Sequence, residues 1–338
     1  MIPSLKRNYM KIKDSIKTAV FDTKTGRGRQ IKTVIVLLAV YLIMGIVTKN
    51  RFLTGTNLLA VLSNSVVNAF IVLGFCFVFA TGIIDLSIGA ILVLACNIGG
   101  ILAVKAGLGY AGLIAGSIVV AAALEVFNMK LIQVSRIPAW IFGLGMAMVY
   151  EAIGAIYNSR QIAAGLQAVS LSNTCRALGQ PPVNILLLAA GVVTAFLIYN
   201  KTTAGIGIRA VGSNKEVAGM MGINTPKTIL LSGVIGGIFI GIAAALNESY
   251  AGRVVPSTGL NSITLIFIPL AAYLLALAFS KTFDLTIAAA LSSFIITSIF
   301  NVLTIMGVPT GTWQKVIMGA SVIICGILSA RSEKGDVK

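Results

Sequence analysis

Ten apolar stretches punctuate the chain, near residues 33–47, 57–80, 86–104, 108–129, 138–157, 183–200, 228–250, 262–279, 285–303 and 313–330, with polar breaks between them. Each is close to the length a helix needs to cross the hydrocarbon core of a bilayer, and none shows the strict alternation of a half-buried strand. The pattern predicts an all-α integral membrane protein with about ten transmembrane helices. Polar side chains within the stretches are sparse and mostly uncharged, as at Asn64, Asn68 and Asn97. Amides in lipid must find partners, so they either join helices or line a wet path.

The breaks carry their own pattern. "DLSIGA" from Asp85 returns as "DLTIAA" from Asp284, each after an apolar run and each opening another. This suggests a parallel internal repeat in which the second and third spans are echoed by the eighth and ninth. In both copies a carboxylate or hydroxyl stands where a helix should begin. It can accept from free backbone N–H groups and oppose the positive end of the helix dipole.

Composition agrees with the pattern. Of 338 residues 57% are hydrophobic and 11% charged, with a mean hydropathy of +0.96; a soluble domain of this length needs far more polar surface. Charge then orients the chain. Nineteen of the 26 Lys and Arg fall on the same side of the membrane as the N-terminus and seven on the other, which places both termini in the cytoplasm. Three regions follow: a basic N-terminal segment 1–32, a transmembrane domain 33–330 containing a long inside loop 201–227, and a tail 331–338. The first 32 residues hold nine Lys or Arg and no apolar core, so a cleavable signal peptide is not expected. Beside a span, such a segment suits anionic membrane lipid rather than nucleic acid.

Candidate chemistry is sparse. The chain has no histidine, and its four cysteines show neither a disulfide framework nor zinc spacing. No phosphate-binding loop and no nucleophile elbow is present, so neither ATP hydrolysis nor acyl transfer is expected of this chain. Solute movement is the task left for a polytopic protein without catalytic groups. Glu125 and Glu248 lie toward the ends of their spans, where snorkelling to the interface would account for them. Glu151 lies deeper and faces either a polar pathway or a polar partner on another helix. Glycine-rich stretches at 112–124 and 232–246 predict close helix packing. The inside loop 202–227 predicts a short helix from about Asn214 to Met221, capped by Ser213 or Asn214 and ended by Gly222. Such a helix fits either a groove on another protein or the lipid interface.

"TGIIDLSIGA" at 81–90, with "NLLAVLSNSVVNAF" before it and "RAVGSNKEVAGMMGIN" later, resembles the permease subunits of ribose-type bacterial ABC importers for monosaccharides and nucleosides. The resemblance runs from about Arg51 to Gly259. It implies an inner-membrane permease that binds no cofactor itself and works with a second permease chain, an extracytoplasmic sugar-binding protein and a cytoplasmic ATPase carrying ATP and Mg. It also implies that Arg209, Ala210, Gly212, Asn214, Glu216, Val217, Gly222 and Ile223 belong to the segment that seats in the ATPase. Asp85, Ser87 and Gly89 match the family's segment at the inner end of the pathway; the residues themselves make Asn64, Asn68, Asn97 and Glu151 further pathway candidates. Two departures stand out. Residues 270–291 lack the glycines usual for the family after the eighth span, and Glu151 stands where related chains often carry Arg. Both suggest the divergent half of a permease heterodimer. An ion-coupled secondary carrier for a small polar solute is the alternative, and a membrane scaffold that moves nothing is a third.

Overall fold

The structure, a computed structural model, describes residues 26–164, 170–171, 173–309 and 311–334. Most of the basic segment 1–32 and the end of the tail 331–338 lie outside the described residues. Among the described residues twelve α-helices follow in order: α1 Gly26–Val47, α2 Gly55–Val78, α3 Ile88–Val104, α4 Gly109–Ser135, α5 Ala139–Ala163, α6 Val183–Lys201, α7 Thr203–Ser213, α8 Lys215–Met220, α9 Thr225–Ala251, α10 Thr264–Phe279, α11 Leu285–Ile305 and α12 Thr312–Lys334. Short 3₁₀ turns stand at Phe79–Thr81, Asn173–Gly179 and Asn261–Ile263. Among the described residues nine helices are long and apolar enough to cross a membrane, and α3, at 17 residues, is a shorter apolar helix. Each of the ten predicted stretches coincides with an apolar helix, and α3, about 25 Å long, is the one too short to count among the nine.

Burial sorts these helices. In α2, 78% of the spanning window is buried, against 6% in α1 and 11% in α12. A helix apolar on every face belongs at the centre of a bundle, and α2 packs on α6, α9, α10 and α11. At the rim, α1 is tied on by the Tyr41 hydroxyl, 3.0 Å from Ser298 Oγ, and by the Tyr41 ring stacked on Phe294.

The two glycine-rich stretches prove to be each other's partners. Helices α4 and α9 run together so closely that a Cβ on Gly237 would lie 2.5 Å from the Cα of Ala122. Without a hydrophobic drive between helices in lipid, such backbone approach supplies the van der Waals contact that holds them.

Two expectations need correction. Glu125 does not snorkel: it is fully buried on α4, and neither carboxylate oxygen has a hydrogen-bond partner among the described residues. Glu248 is also buried, and its Oε2 accepts from Val254 N at 3.0 Å, which fastens the chain as it leaves α9. Both helices pack on three or more other elements, and the burial of the two side chains shows that the carboxylates meet protein rather than the lipid interface.

Candidate functional site

Three groups of residues carry the chemistry. The first is the break between α2 and α3. Gly82, at φ +77°, ends the Phe79–Thr81 turn, and the chain then runs without regular structure through residues 83–85 and turns at Leu86 and Ser87 into α3. Asp85 is completely buried. Its Oδ1 accepts from Ser87 N at 2.7 Å, and its Oδ2 accepts from Asn128 Nδ2 at 2.8 Å. The same Nδ2 group lies 2.6 Å from Ser87 Oγ, and Asn128 Oδ1 accepts from the Tyr150 hydroxyl at 2.7 Å. Asp85 was expected to cap α3. Ser87 is instead the residue before that helix, and the carboxylate braces the approach to it, crosslinked to α4 and α5. Asp284 does cap: it precedes α11 and accepts from Thr286 N at 3.0 Å. The two copies of the motif thus share an aspartate accepting from the N–H two residues on, while only Asp85 is fully buried.

The second group is the segment between α6 and α9. The predicted short helix is present as α8, with Asn214 Oδ1 accepting from the N–H groups of Glu216 and Val217 at 3.0 Å each. Gly222 at φ +85° stops it, and Ile223 N returns to Ala218 O at 3.0 Å. Sequence reasoning missed α7, whose three glycines lower its helix propensity. Thr202 caps it by accepting from Gly205 N at 3.2 Å. Helix α7 packs on the Phe79–Thr81 turn at the foot of α2. Gly212 makes this possible, because a Cβ there would collide with the Ala80 carbonyl oxygen. Arg209 lies over the Tyr199 ring, 5.1 Å from its centre, and Ala210 is half-buried against the core. Helix α8 leaves Glu216, Val217, Met220 and Met221 exposed, with Met220 at 85%.

The third group lies at the opposite end of α9. A cavity of about 290 Å³ opens between α2, α6, α9 and α10, and Asn64, Asn68, Asn184, Asn247 and Tyr250 supply its polar lining. None of its lining residues is charged. Asn184 and Asn247 were not foreseen, since single amides in apolar runs carry no spacing signal. The Nδ2 group of Asn184 serves Ser63 Oγ at 2.7 Å and Gly179 O at 3.1 Å. Its Oδ1 is buried without a partner among the described residues. Asn97 lies outside this cavity and donates to Val93 O at 2.7 Å within its own helix.

Glu151 finds its partner in backbone. After α9 the chain turns inward along α5: Pro256 packs on Gly154, and the N–H groups of Leu260 and Ser262 donate to Glu151 Oε2 and Oε1 at 2.8 and 2.7 Å. On the other side, the Ser262 carbonyl presses on α3 where Gly89 leaves room for it. Residues 253–263 therefore form a re-entrant segment that reaches the middle of α5. Non-helical backbone survives at such depth only where its polar groups are satisfied by protein or face a wet cavity. Glu151 satisfies two of them.

A bundle of membrane-length helices, with an uncharged polar cavity at one end and an exposed helical segment at the other, defines a membrane transport permease. Residues 57–326 match the family described as "branched-chain amino acid transport system / permease component", and the chain belongs to it. Among its relatives is the D-allose transport system permease protein of Escherichia coli (strain K12), 24% identical over 291 residues, which are 86% of this chain and 88% of that one. The autoinducer 2 import system permease protein of Yersinia pestis (strain Pestoides F) is 25% identical over 303 residues, 89% of this chain and 84% of its own. No solved structure matches.

Proposed function

We propose that this chain is the membrane subunit of an ATP-driven importer in the bacterial cytoplasmic membrane, passing a neutral monosaccharide-class solute. An extracytoplasmic binding protein delivers the solute, and a separate ATPase chain binds and hydrolyses ATP with Mg. The observation that carries this reading is the packing of α7 on the Ala80 carbonyl, with α8 displayed beside it. A force applied to α8 passes through α7 into the foot of the most buried helix, which also lines the polar cavity. Asp85 and Asn128 brace the next residues, so the push reaches α3, α4 and α5 together. Val217, Met220 and Met221 give α8 the apolar face that a groove on an ATPase would take.

The amide-lined cavity favours an uncharged polyol. A free amino acid carries both an ammonium and a carboxylate, and the lining offers neither a counter-charge. The relatives transport D-allose and autoinducer 2 by their names, which agrees with a small hydroxylated solute. The glycine-free stretch 270–291 supports a second permease chain of different sequence.

Purification of the full chain from its native membrane tests the reading. A stoichiometric ATPase and a second permease are expected to accompany it, and solute-loaded binding protein should raise ATP turnover. An isolated chain that accumulates solute on an ion gradient alone would overturn it.

A further inference from the structure

The re-entrant segment carries an inference that rests on the permease reading above and names part of its solute path. Its inward face is fully occupied. Pro256 lies on Gly154, the amides of Leu260 and Ser262 are held by Glu151, and the Ser262 carbonyl is set against Gly89. Its other face is bare: Ser257, Thr258, Gly259 and Asn261 are exposed. The side chains of Ser257 and Thr258 have no hydrogen-bond partner among the described residues, and Asn261 Nδ2 reaches only the Thr258 carbonyl, at 2.7 Å. Glu151, the anchor, is the thirteenth of the 25 residues of α5. At about 1.5 Å per residue that is roughly 18 Å from either end of the helix, which is the middle of a bilayer.

Lipid tails cannot satisfy hydroxyls, an amide and open backbone at that depth. Protein does not satisfy them either, because this face is the exposed one. Water on the solute path, with the proposed second permease chain across it, is the environment that satisfies them. The same segment leads into Leu265, which lines the amide cavity, and follows Tyr250, which lines it too. We propose that residues 257–261 line the water-filled solute path at mid-membrane, as a polar strip continuing the cavity of Asn64, Asn68 and Asn247, with Glu151 as the positioning residue that holds the strip from behind. The solute met there is neutral and hydroxyl-bearing, since hydroxyl, amide and backbone groups are the only recognition elements on the strip.

Thiol accessibility in the assembled transporter tests this. The four native cysteines are buried, so the parent protein supplies a low background for a membrane-impermeant methanethiosulfonate reagent. Ser257→Cys and Thr258→Cys remove no hydrogen bond and should fold. Both are expected to react at least about tenfold faster than Ile153→Cys and Ile156→Cys, apolar exposed neighbours of Glu151 on α5 that should face hydrocarbon. Glu151→Gln should change the rates at 257 and 258 and leave those at 153 and 156 alone. Equal, slow reaction at all four positions would mean that lipid or a partner chain covers the strip, and would overturn the proposal. Failure here with an ATPase still bound and stimulated would remove the strip from the path and leave the importer reading standing. Loss of the ATPase requirement would remove the importer reading itself.

Discussion

Single side chains in this protein matter most where they satisfy backbone or one another inside the membrane. Asn128 is the centre of the Asp85 brace, making bonds to Asp85 and Tyr150 and touching Ser87. Asn128→Leu keeps the volume and leaves a buried carboxylate short of a donor. The expected loss is about 1–3 kcal/mol, the usual cost of leaving a buried polar group without its partner, read as a lower midpoint in thermal unfolding of the purified chain. Glu151 is a stricter case. Both its oxygens accept from N–H groups, so Glu151→Gln turns one acceptor into a donor that faces another donor. Limited proteolysis should then cut within 253–263 faster than in the parent, while the proteolysis of other loops stays unchanged.

The elements proposed to transmit force are small, and their stability is local. Six residues are too few for α8 to persist alone, so its Asn214 cap and Gly222 stop define it. Asn214→Ala should cost about 1 kcal/mol and appear as faster amide exchange over 215–220, with uptake falling relative to ATP turnover. Gly212→Ala acts on the next element. An added methyl must displace the Ala80 carbonyl or lift α7 from the foot of α2, so ATP turnover should continue while uptake drops at least about tenfold, an effect of roughly 1.4 kcal/mol on the coupled step. Equal loss of both activities would place Gly212 outside the coupling path. Between α4 and α9 the close approach at Gly237 predicts that Gly237→Leu destabilises by about 1–3 kcal/mol or more through overpacking, with expression level and unfolding midpoint as the readouts.

For the molecule as a whole, direction of energy flow separates the importer from an ion-coupled carrier. Uptake by intact cells should survive a protonophore as long as ATP is maintained, and should end when the ATPase partner is deleted. The sequence by itself determined the class: ten apolar runs, the Asp-Leu-Ser/Thr breaks and the Asn214–Gly222 helix were all legible, because bilayer thickness and capping chemistry act over a few consecutive residues. The polar cavity was half legible, through Asn64 and Asn68. Asn184 and Asn247 join them only when α6 and α9 pack beside α2. The fate of the membrane carboxylates was not legible at all. Whether Glu125, Glu151 and Glu248 meet lipid, water or a backbone amide depends on which helix lies opposite, and residues 151 and 262 are brought together from more than a hundred positions apart. Tertiary structure alone decided that the chain re-enters the membrane after α9, since Glu151 can accept from those amides only once α3, α5 and α10 pack against the inward face of the segment.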